Sequence, residues 1–144
     1  MTQPVDRALV TRKLSVIATN VRHLEHVVNL TLDEYRSDAF RRKGIERLLQ
    51  EIVDAAADAN QHLLRESGAA PASDYRSSFI AVGQNGIIPA ALAESLAPSA
   101  GLRNRLVHEY DTIDDAVVLG SLKRAVSEFT AYVEAVERYL GRVA

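Results

Sequence analysis

A short stretch late in the chain brings together four side chains of different chemistry. Arg103 and Asn104 are followed by His108, and Tyr110 comes two residues after the histidine. Histidine is the side chain whose ordinary pKa allows proton transfer near neutral pH. An arginine guanidinium carries a permanent charge and paired donors that suit anionic oxygens. The stretch is therefore the first candidate for a catalytic site.

Each of these side chains also has an ordinary structural interpretation. His108, if it lies near a helix C-terminus, could simply interact with the last free carbonyl groups. Arg103 could pair with Glu109 or Asp111. Tyr110 could be a core aromatic residue whose hydroxyl reaches the rim. These alternatives stay open at the level of single residues.

Helical geometry limits how the four side chains can meet. Successive residues of a helix are rotated by about 100°, so Asn104 and His108 share one face, while Arg103 and Tyr110 share another. This comparison assumes an unbroken helix from 103 to 110. One helix cannot direct all four groups to one point, which favours a composite site at a two-fold interface. Asn104 has a supporting role, because it could orient His108 or cap a broken helix.

The stretch resembles a known family. The pattern Arg-x4-His-x-Tyr, with Asn104 after the arginine and Ile113-Asp114 after the tyrosine, is similar to HepT toxins of the HEPN (higher eukaryotes and prokaryotes nucleotide-binding) superfamily. The resemblance implies a metal-independent ribonuclease whose catalytic pair is Arg103 and His108, in a cleft between the protomers of a homodimer. Proton transfer next to a 2′-hydroxyl suits His108, and negative charge on phosphoryl oxygens suits Arg103.

The same resemblance implies the partners. The substrate would be RNA, with tRNA among the candidates. A minimal nucleotidyltransferase antitoxin would neutralise the toxin by transferring AMP to Tyr110. The alternative is a non-catalytic helical adaptor that uses the same surface to bind a nucleotidyltransferase and keeps the motif for binding.

Further basic residues are candidates for holding an RNA backbone. Arg41, Arg42, Lys43 and Arg47 cluster where the second long helix is expected to begin, and Arg105 lies inside the motif. Clustered positive charge is typical of phosphate contacts. A solvated helix face explains the cluster equally well.

A metal or cofactor is not expected. His23 and His26 lie about one helical turn apart, a spacing found in metal sites, but no second acidic or histidine motif completes a ligand set. The chain contains no cysteine, which excludes disulfides, thiolate zinc sites and cysteine nucleophiles. We expect a reducing compartment and no bound metal or cofactor.

Apolar periodicity predicts two long helices in the first half of the chain. The first lies between residues 5 and 29, and the second at roughly 38–66. Between them, Thr31 and Glu34 have the spacing of a capping box at a new helix start. The linker that follows, residues 67–73, is short enough to connect two helices of one domain.

The second half predicts three more helices. A short one runs from 74 to about 82 with Ser73 as its cap, and Pro89 opens the next, in which Pro98 or Gly101 causes a kink or break. The last begins near the capping-box pattern at 112–115. No strand pattern competes, so the prediction is an all-α, HEPN-like antiparallel bundle of about five helices.

Composition sets the remaining expectations. The chain has 144 residues, a net charge of −2, 47% hydrophobic and 25% charged residues, the balance of one globular domain spanning 1–144. Its start is polar and interrupted by charges, unlike a signal peptide or a membrane span. We therefore expect a cytoplasmic protein without membrane contact, in which nucleic-acid binding depends on local basic groups.

Overall fold

Helices are the regular structure throughout the computed structural model, which describes residues 6–143. Residues 1–5, including the polar start considered above, and Ala144 lie outside this range. Within it, eight helices follow one another and no strand occurs: α1 (Arg7–Glu25), α2 (Leu32–Ser37), α3 (Ala39–Glu66), α4 (Tyr75–Gln84), α5 (Ala90–Leu96), α6 (Pro98–His108), α7 (Asp115–Gly120) and α8 (Leu122–Arg142). The all-α prediction is confirmed, and α1, α3, α4, α6 and α8 are the five helices of ten or more residues.

The two long helices of the first half pack side by side and run antiparallel. Lys13 Nζ lies 3.0 Å from Asp58 Oδ2, whereas Asn20 Nδ2 lies 3.1 Å from Glu51 Oε1. Residues later in α1 therefore contact residues earlier in α3, as expected for an antiparallel pair. The predicted apolar stripes of both helices form the contact, and their buried members are Val10, Leu14, Ile17, Val21, Leu24, Ile45, Leu49, Ile52, Ala56, Ala59 and Leu63.

A cluster of aromatic rings closes the core between α3, α4 and α8. Phe79, Phe129 and Tyr132 meet edge to face with ring centroids 6.3 to 6.4 Å apart. The buried Tyr132 hydroxyl donates to Asn60 Oδ1 at 2.6 Å, which satisfies a polar group that would otherwise be costly to bury. Burial raises the pKa of Tyr132 far above its ordinary value, so the hydroxyl stays a donor.

The first predicted capping box is present, but it opens a separate short helix. Glu34 N donates to Thr31 Oγ1 at 3.1 Å, and Thr31 N donates to Glu34 Oε1 at 2.9 Å. The helix that starts there, α2, ends after six residues. Asp38 then caps α3 by accepting a hydrogen bond from Arg41 N at 3.1 Å, so the segment between the long helices is itself partly helical.

The predicted cap of α4 is wrong by one residue. Asp74, and not Ser73, is the N-cap, since its Oδ1 accepts from Ser77 N at 2.7 Å. Ser73 Oγ instead lies 3.2 Å from Ser77 Oγ. Hydrogen bonds from the Ser77 hydroxyl and from Ser77 N stabilise the Asp74 carboxylate and lower the pKa of Asp74.

The last predicted helix is divided into two. α7 begins at Asp115, and its cap is Asp114, whose Oδ1 accepts from Ala116 N at 2.9 Å. Thr112 is therefore not the cap that the sequence pattern suggested. Its hydroxyl donates to Glu109 O at 3.2 Å within the preceding turn. The chain then bends at Ser121 before α8 begins.

The break predicted near Pro98 separates α5 from α6. Pro98 stands at the first position of α6, where its missing N–H leaves no hydrogen bond unmade. Gly101 lies inside α6 and does not interrupt it. Because α6 packs against α3, α4 and α5, its side chains are positioned by three neighbouring helices. No helix in the described range combines the length and hydropathy required to cross a membrane.

Candidate active site

Arg103 is held between two helices that the sequence pattern did not connect with it. Its Nε donates to Asp54 Oδ1 on α3 at 2.7 Å. Its Cζ lies 4.9 Å from the centroid of the Tyr75 ring at the start of α4, within the range of a cation–π contact. Only 19% of the side chain is exposed. The guanidinium therefore has a fixed orientation before any ligand binds.

The alternative interpretation, in which Arg103 pairs with Glu109 or Asp111, is wrong. Because α6 ends at His108, both acidic residues lie beyond the helix in an exposed turn. The partner of Arg103 is instead Asp54, which lies 49 positions away in the chain. One feature of the sequence could have revealed this partner. Asp54 lies inside the largely buried apolar run of residues 52–57, where a charged side chain needs a partner.

The ring beneath Arg103 keeps its proton. Burial, followed by the negative charge of Asp54, raises the pKa of Tyr75, and the positive charge of Arg103 opposes this only in part. At neutral pH Tyr75 is thus a phenol that supports the guanidinium and not a base. Asp54 and Tyr75 touch Arg103 itself, which makes them positioning residues.

Asn104 and His108 lie one turn apart on the exposed face of α6, as their spacing predicts. Arg103 Nη1 donates to Asn104 Oδ1 at 3.4 Å, so the amide adjoins the guanidinium. His108 is the last residue of α6. Among residues 6–143 no hydrogen bond of its imidazole to a helix carbonyl is found, and the ring is open to a ligand.

Tyr110 occupies a different place from the one expected. The helix does not continue from 103 to 110, so Tyr110 lies in the turn after α6 and does not share a face with Arg103. With 65% of its surface exposed, it is not a core aromatic residue. It borders a cavity of about 270 Å³ together with Arg42, Lys43, Glu46 and Asp115.

Two arginines of the predicted RNA-binding cluster are engaged within the fold. The Arg41 guanidinium donates to the carbonyl oxygen of Glu34. Arg42 lies between two carboxylates, 3.9 Å from Glu46 and 3.8 Å from Asp115. Burial raises the pKa of Glu46, while the charge of Arg42 opposes that shift. These contacts favour a structural role for both arginines.

The remaining three cations of that prediction differ in availability. Arg47 Nε donates to Glu51 Oε2 at 3.1 Å on the exposed side of α3. Lys43 and Arg105 are exposed and form no ion pair within the part of the chain that the structure describes. Of the five predicted residues, these two are the exposed cations without an ion pair in the described range.

The two histidines considered as a metal pair do not both belong to the first helix. His23 is exposed in α1, and His26 is the C-cap residue that follows Glu25, the last residue of that helix. Across residues 6–143 the structure contains no group of three or more His, Cys, Asp or Glu side chains arranged to hold a metal ion.

Similarity to known proteins extends over nearly the whole chain. A model of the family described as Ribonuclease HepT-like matches residues 17–136. A protein of Aphanizomenon flos-aquae named tRNA nuclease HepT is 36% identical over 136 residues, covering 94% of this chain and 92% of the relative. A Shewanella oneidensis protein named mRNA nuclease HepT is 21% identical over 129 residues, covering 90% of this chain and 96% of that one.

The fold is also similar to solved structures. One is a tri-AMPylated Shewanella oneidensis HEPN toxin in complex with MNT antitoxin, with a TM-score of 0.81, 21% identity, and coverage of 90% of this chain and 97% of that one. A crystal structure of a toxin-antitoxin with AMP-PNP has a TM-score of 0.82 at 20% identity, covering 91% and 98%. At these identities the likeness establishes the fold.

Proposed function

This chain belongs to the HepT-like ribonuclease family, and on that premise we propose that it is the metal-independent ribonuclease toxin of a toxin-antitoxin pair. The observation that carries the proposal is the geometry of α6. One helix presents a guanidinium oriented by Asp54 and Tyr75, and it ends in an exposed imidazole at His108. A core that links α1 to α8 supports one domain over the described residues 6–143.

The proposed reaction uses the 2′-hydroxyl of RNA as the nucleophile. Its oxygen bonds to the adjacent phosphorus, the bond from phosphorus to the 5′-oxygen breaks, and the products are a cyclic phosphate and a free 5′-hydroxyl. A base removes the 2′ proton and an acid returns a proton to the 5′-oxygen, which are roles for His108. Arg103 stabilises the negative charge on the phosphoryl oxygens with a permanent cation.

Two protomers together would supply the two histidines that act as base and acid. The reaction needs a base and an acid, whereas one chain carries a single histidine in the motif. Arg103 is held against α3 and α4, while His108 faces outward from the end of the same helix. If the exposed faces of two α6 helices meet at a two-fold axis, two histidines and two arginines flank one phosphate.

Light scattering should therefore find a homodimer at twice the 15.8 kDa chain mass. The physical reason is that the exposed α6 face with Asn104 and His108 is incomplete as a site until a second copy covers it. Activity measured over the same dilution series should fall as the dimer dissociates. An active monomer at micromolar concentration would rule out the composite site.

Cleavage of RNA by the purified protein in the presence of EDTA is the experiment that tests the function. We expect transfer RNA, offered beside an mRNA transcript, to be cut with 2′,3′-cyclic phosphate ends, and the rate to be unchanged by the chelator, because Arg103 provides the positive charge. Loss of cleavage with EDTA would contradict metal independence. A protein that binds RNA or a nucleotidyltransferase without cutting RNA would be the non-catalytic adaptor.

A nucleotidyltransferase antitoxin is the proposed partner, and Tyr110 the residue it modifies. The Tyr110 oxygen would bond to the α-phosphorus of ATP, pyrophosphate would leave, and the phenolic proton would pass to a base of the transferase. The high exposure of Tyr110 supports this assignment, since an incoming enzyme can reach it. RNA and ATP are both available in the cytoplasm, and we place the reaction there.

A further inference from the structure

A groove runs between α6 and α8 and is separate from the cavity at Tyr110. It encloses about 260 Å³. Its floor is apolar and comes from Leu49 and Val53 of α3 and from Phe129 of α8. Leu102 on α6 and Ala125 on α8 form part of its walls. We name this cavity the α6/α8 groove.

The charges around the groove are mostly positive. Arg103, Arg105 and Arg124 line it together with a single carboxylate, that of Glu128. An apolar cavity bordered by guanidinium groups fits a flat, weakly polar ring that is attached to an anion. A nucleotide has this composition, because its base is flat and its phosphate is negative.

The groove adjoins the proposed reaction centre through one residue. Arg103 lines the groove, and the same side chain is the proposed phosphate ligand. One ribose separates a base from its phosphate, so a nucleotide held at Arg103 has its base within reach of the groove. Proteins that recognise RNA commonly take unstacked bases into such pockets and pack them against apolar, aromatic or arginine side chains.

We propose that the α6/α8 groove binds the base of an unpaired nucleotide next to the phosphodiester bond that is cleaved. The inference rests on the proposed ribonuclease function and adds the substrate class, RNA that is single-stranded at the cut. A base within a helix is stacked and paired, and it cannot enter the groove without leaving the helix. Loops and unpaired ends are therefore the substrates.

Glu128 gives the groove a chemical preference among bases. Its Oε1 accepts from Arg124 Nε at 2.7 Å, and the side chain is only 19% exposed, so the carboxylate is held in place. A carboxylate accepts hydrogen bonds and donates none. Adenine, guanine and cytosine can donate to it from an exocyclic amino group, whereas uracil, which has none, can donate only from its ring N3–H.

Ala125→Phe tests the proposal by filling the groove with a ring. Kinetics are measured on a short single-stranded RNA and on copies with one abasic nucleotide at each position around the cut. In the wild type, one abasic position should lower kcat/KM by about ten- to hundredfold, the range expected for losing one stacked base. In Ala125→Phe, kcat/KM for the intact RNA should already be reduced by the same factor, and the same abasic position should cause no further reduction of kcat/KM.

Ala91→Phe is the matched control, since Ala91 is exposed on α5 and does not line the groove. It should behave as the wild type does. If Ala125→Phe does not keep the wild-type thermal unfolding midpoint, Val117→Trp takes its place, because Val117 lines the groove and is 42% exposed.

Two results would overturn the inference. One is a wild-type kcat/KM for the filled variant, and the other is an abasic effect that persists unchanged in it. A filled variant that turns monomeric in light scattering but keeps its abasic effect would show that the groove holds a second copy of the chain instead. A wild-type protein that cuts neither transfer RNA nor these RNAs would contradict the proposed function itself, whereas cutting that ignores the filled groove contradicts this inference alone.

Discussion

Replacing Arg103 or His108 by alanine is expected to abolish RNA cleavage while leaving a folded dimer. Loss of a general acid or base typically lowers a rate by 10² to 10⁴, and loss of one donor to a developing negative charge by about 10² to 10³. Neither side chain belongs to the hydrophobic core, so circular dichroism should change little. Arg103→Ala should lower the thermal unfolding midpoint, because it leaves the half-buried Asp54 carboxylate without its partner. Growth of cells that express each variant should show the corresponding loss of toxicity.

Controls with the same residue types separate this effect from a general loss of charge. Arg12 and His23 are exposed on α1 outside the site, so Arg12→Ala and His23→Ala should retain wild-type rates. Asp54→Asn keeps an oxygen that can accept from Arg103 Nε but removes the charge, and its loss of kcat should be smaller than that of Arg103→Ala. Cleavage at the wild-type rate by either Arg103→Ala or His108→Ala would mean that the chemistry lies elsewhere.

Tyr110→Phe should keep ribonuclease activity and become insensitive to the antitoxin with ATP and magnesium. The substitution removes one hydroxyl from a largely exposed ring, so neither the core nor α6 is disturbed. In the wild type each transferred AMP adds a negative phosphodiester and a bulky nucleoside, which repel and obstruct an RNA phosphate. Intact-mass measurement should show additions of AMP mass on the wild type and none on the variant.

Tyr139→Phe is the control for modification, because Tyr139 lies on α8 beside Arg142 and far along the chain from the motif. It should accept AMP as the wild type does. The same mass additions on Tyr110→Phe would assign the modification to another residue. Inhibition of the wild type without any change in mass would mean that the antitoxin acts by binding.

The long helices could be predicted from the sequence because burial enforces their period. Every apolar position predicted for α3 is buried. Cap positions were harder, since two oxygen-bearing side chains stand within two residues of each other at each of these helix starts. Asp74 caps α4 in place of Ser73, and Asp114 caps α7 in place of Thr112. The choice depends on local backbone angles, which the pattern of residue types does not contain.

The features of the site also divide into those that the sequence predicts and those that it does not. The shared face of Asn104 and His108 follows from their spacing within one helix. The partners of Arg103 do not, because Asp54 and Tyr75 come from other helices and meet it only through tertiary packing. The predicted position of Tyr110 on the same helix face as Arg103 was wrong, because the sequence does not mark where α6 ends. Tyr110 lies two residues beyond that end and no longer follows the helical spacing.

The pairing of arginines with carboxylates also governs how the protein meets RNA in solution. Arg103 with Asp54 and Arg47 with Glu51 are ion pairs before any ligand arrives, and the chain as a whole is slightly acidic. An arginine that keeps its carboxylate neutralises an RNA phosphate incompletely, so few counterions leave the RNA on binding. The dependence of RNA affinity on ionic strength should then come mainly from Lys43 and Arg105, which form no ion pair within the described residues, and encounter depends more on short-range fit than on long-range attraction.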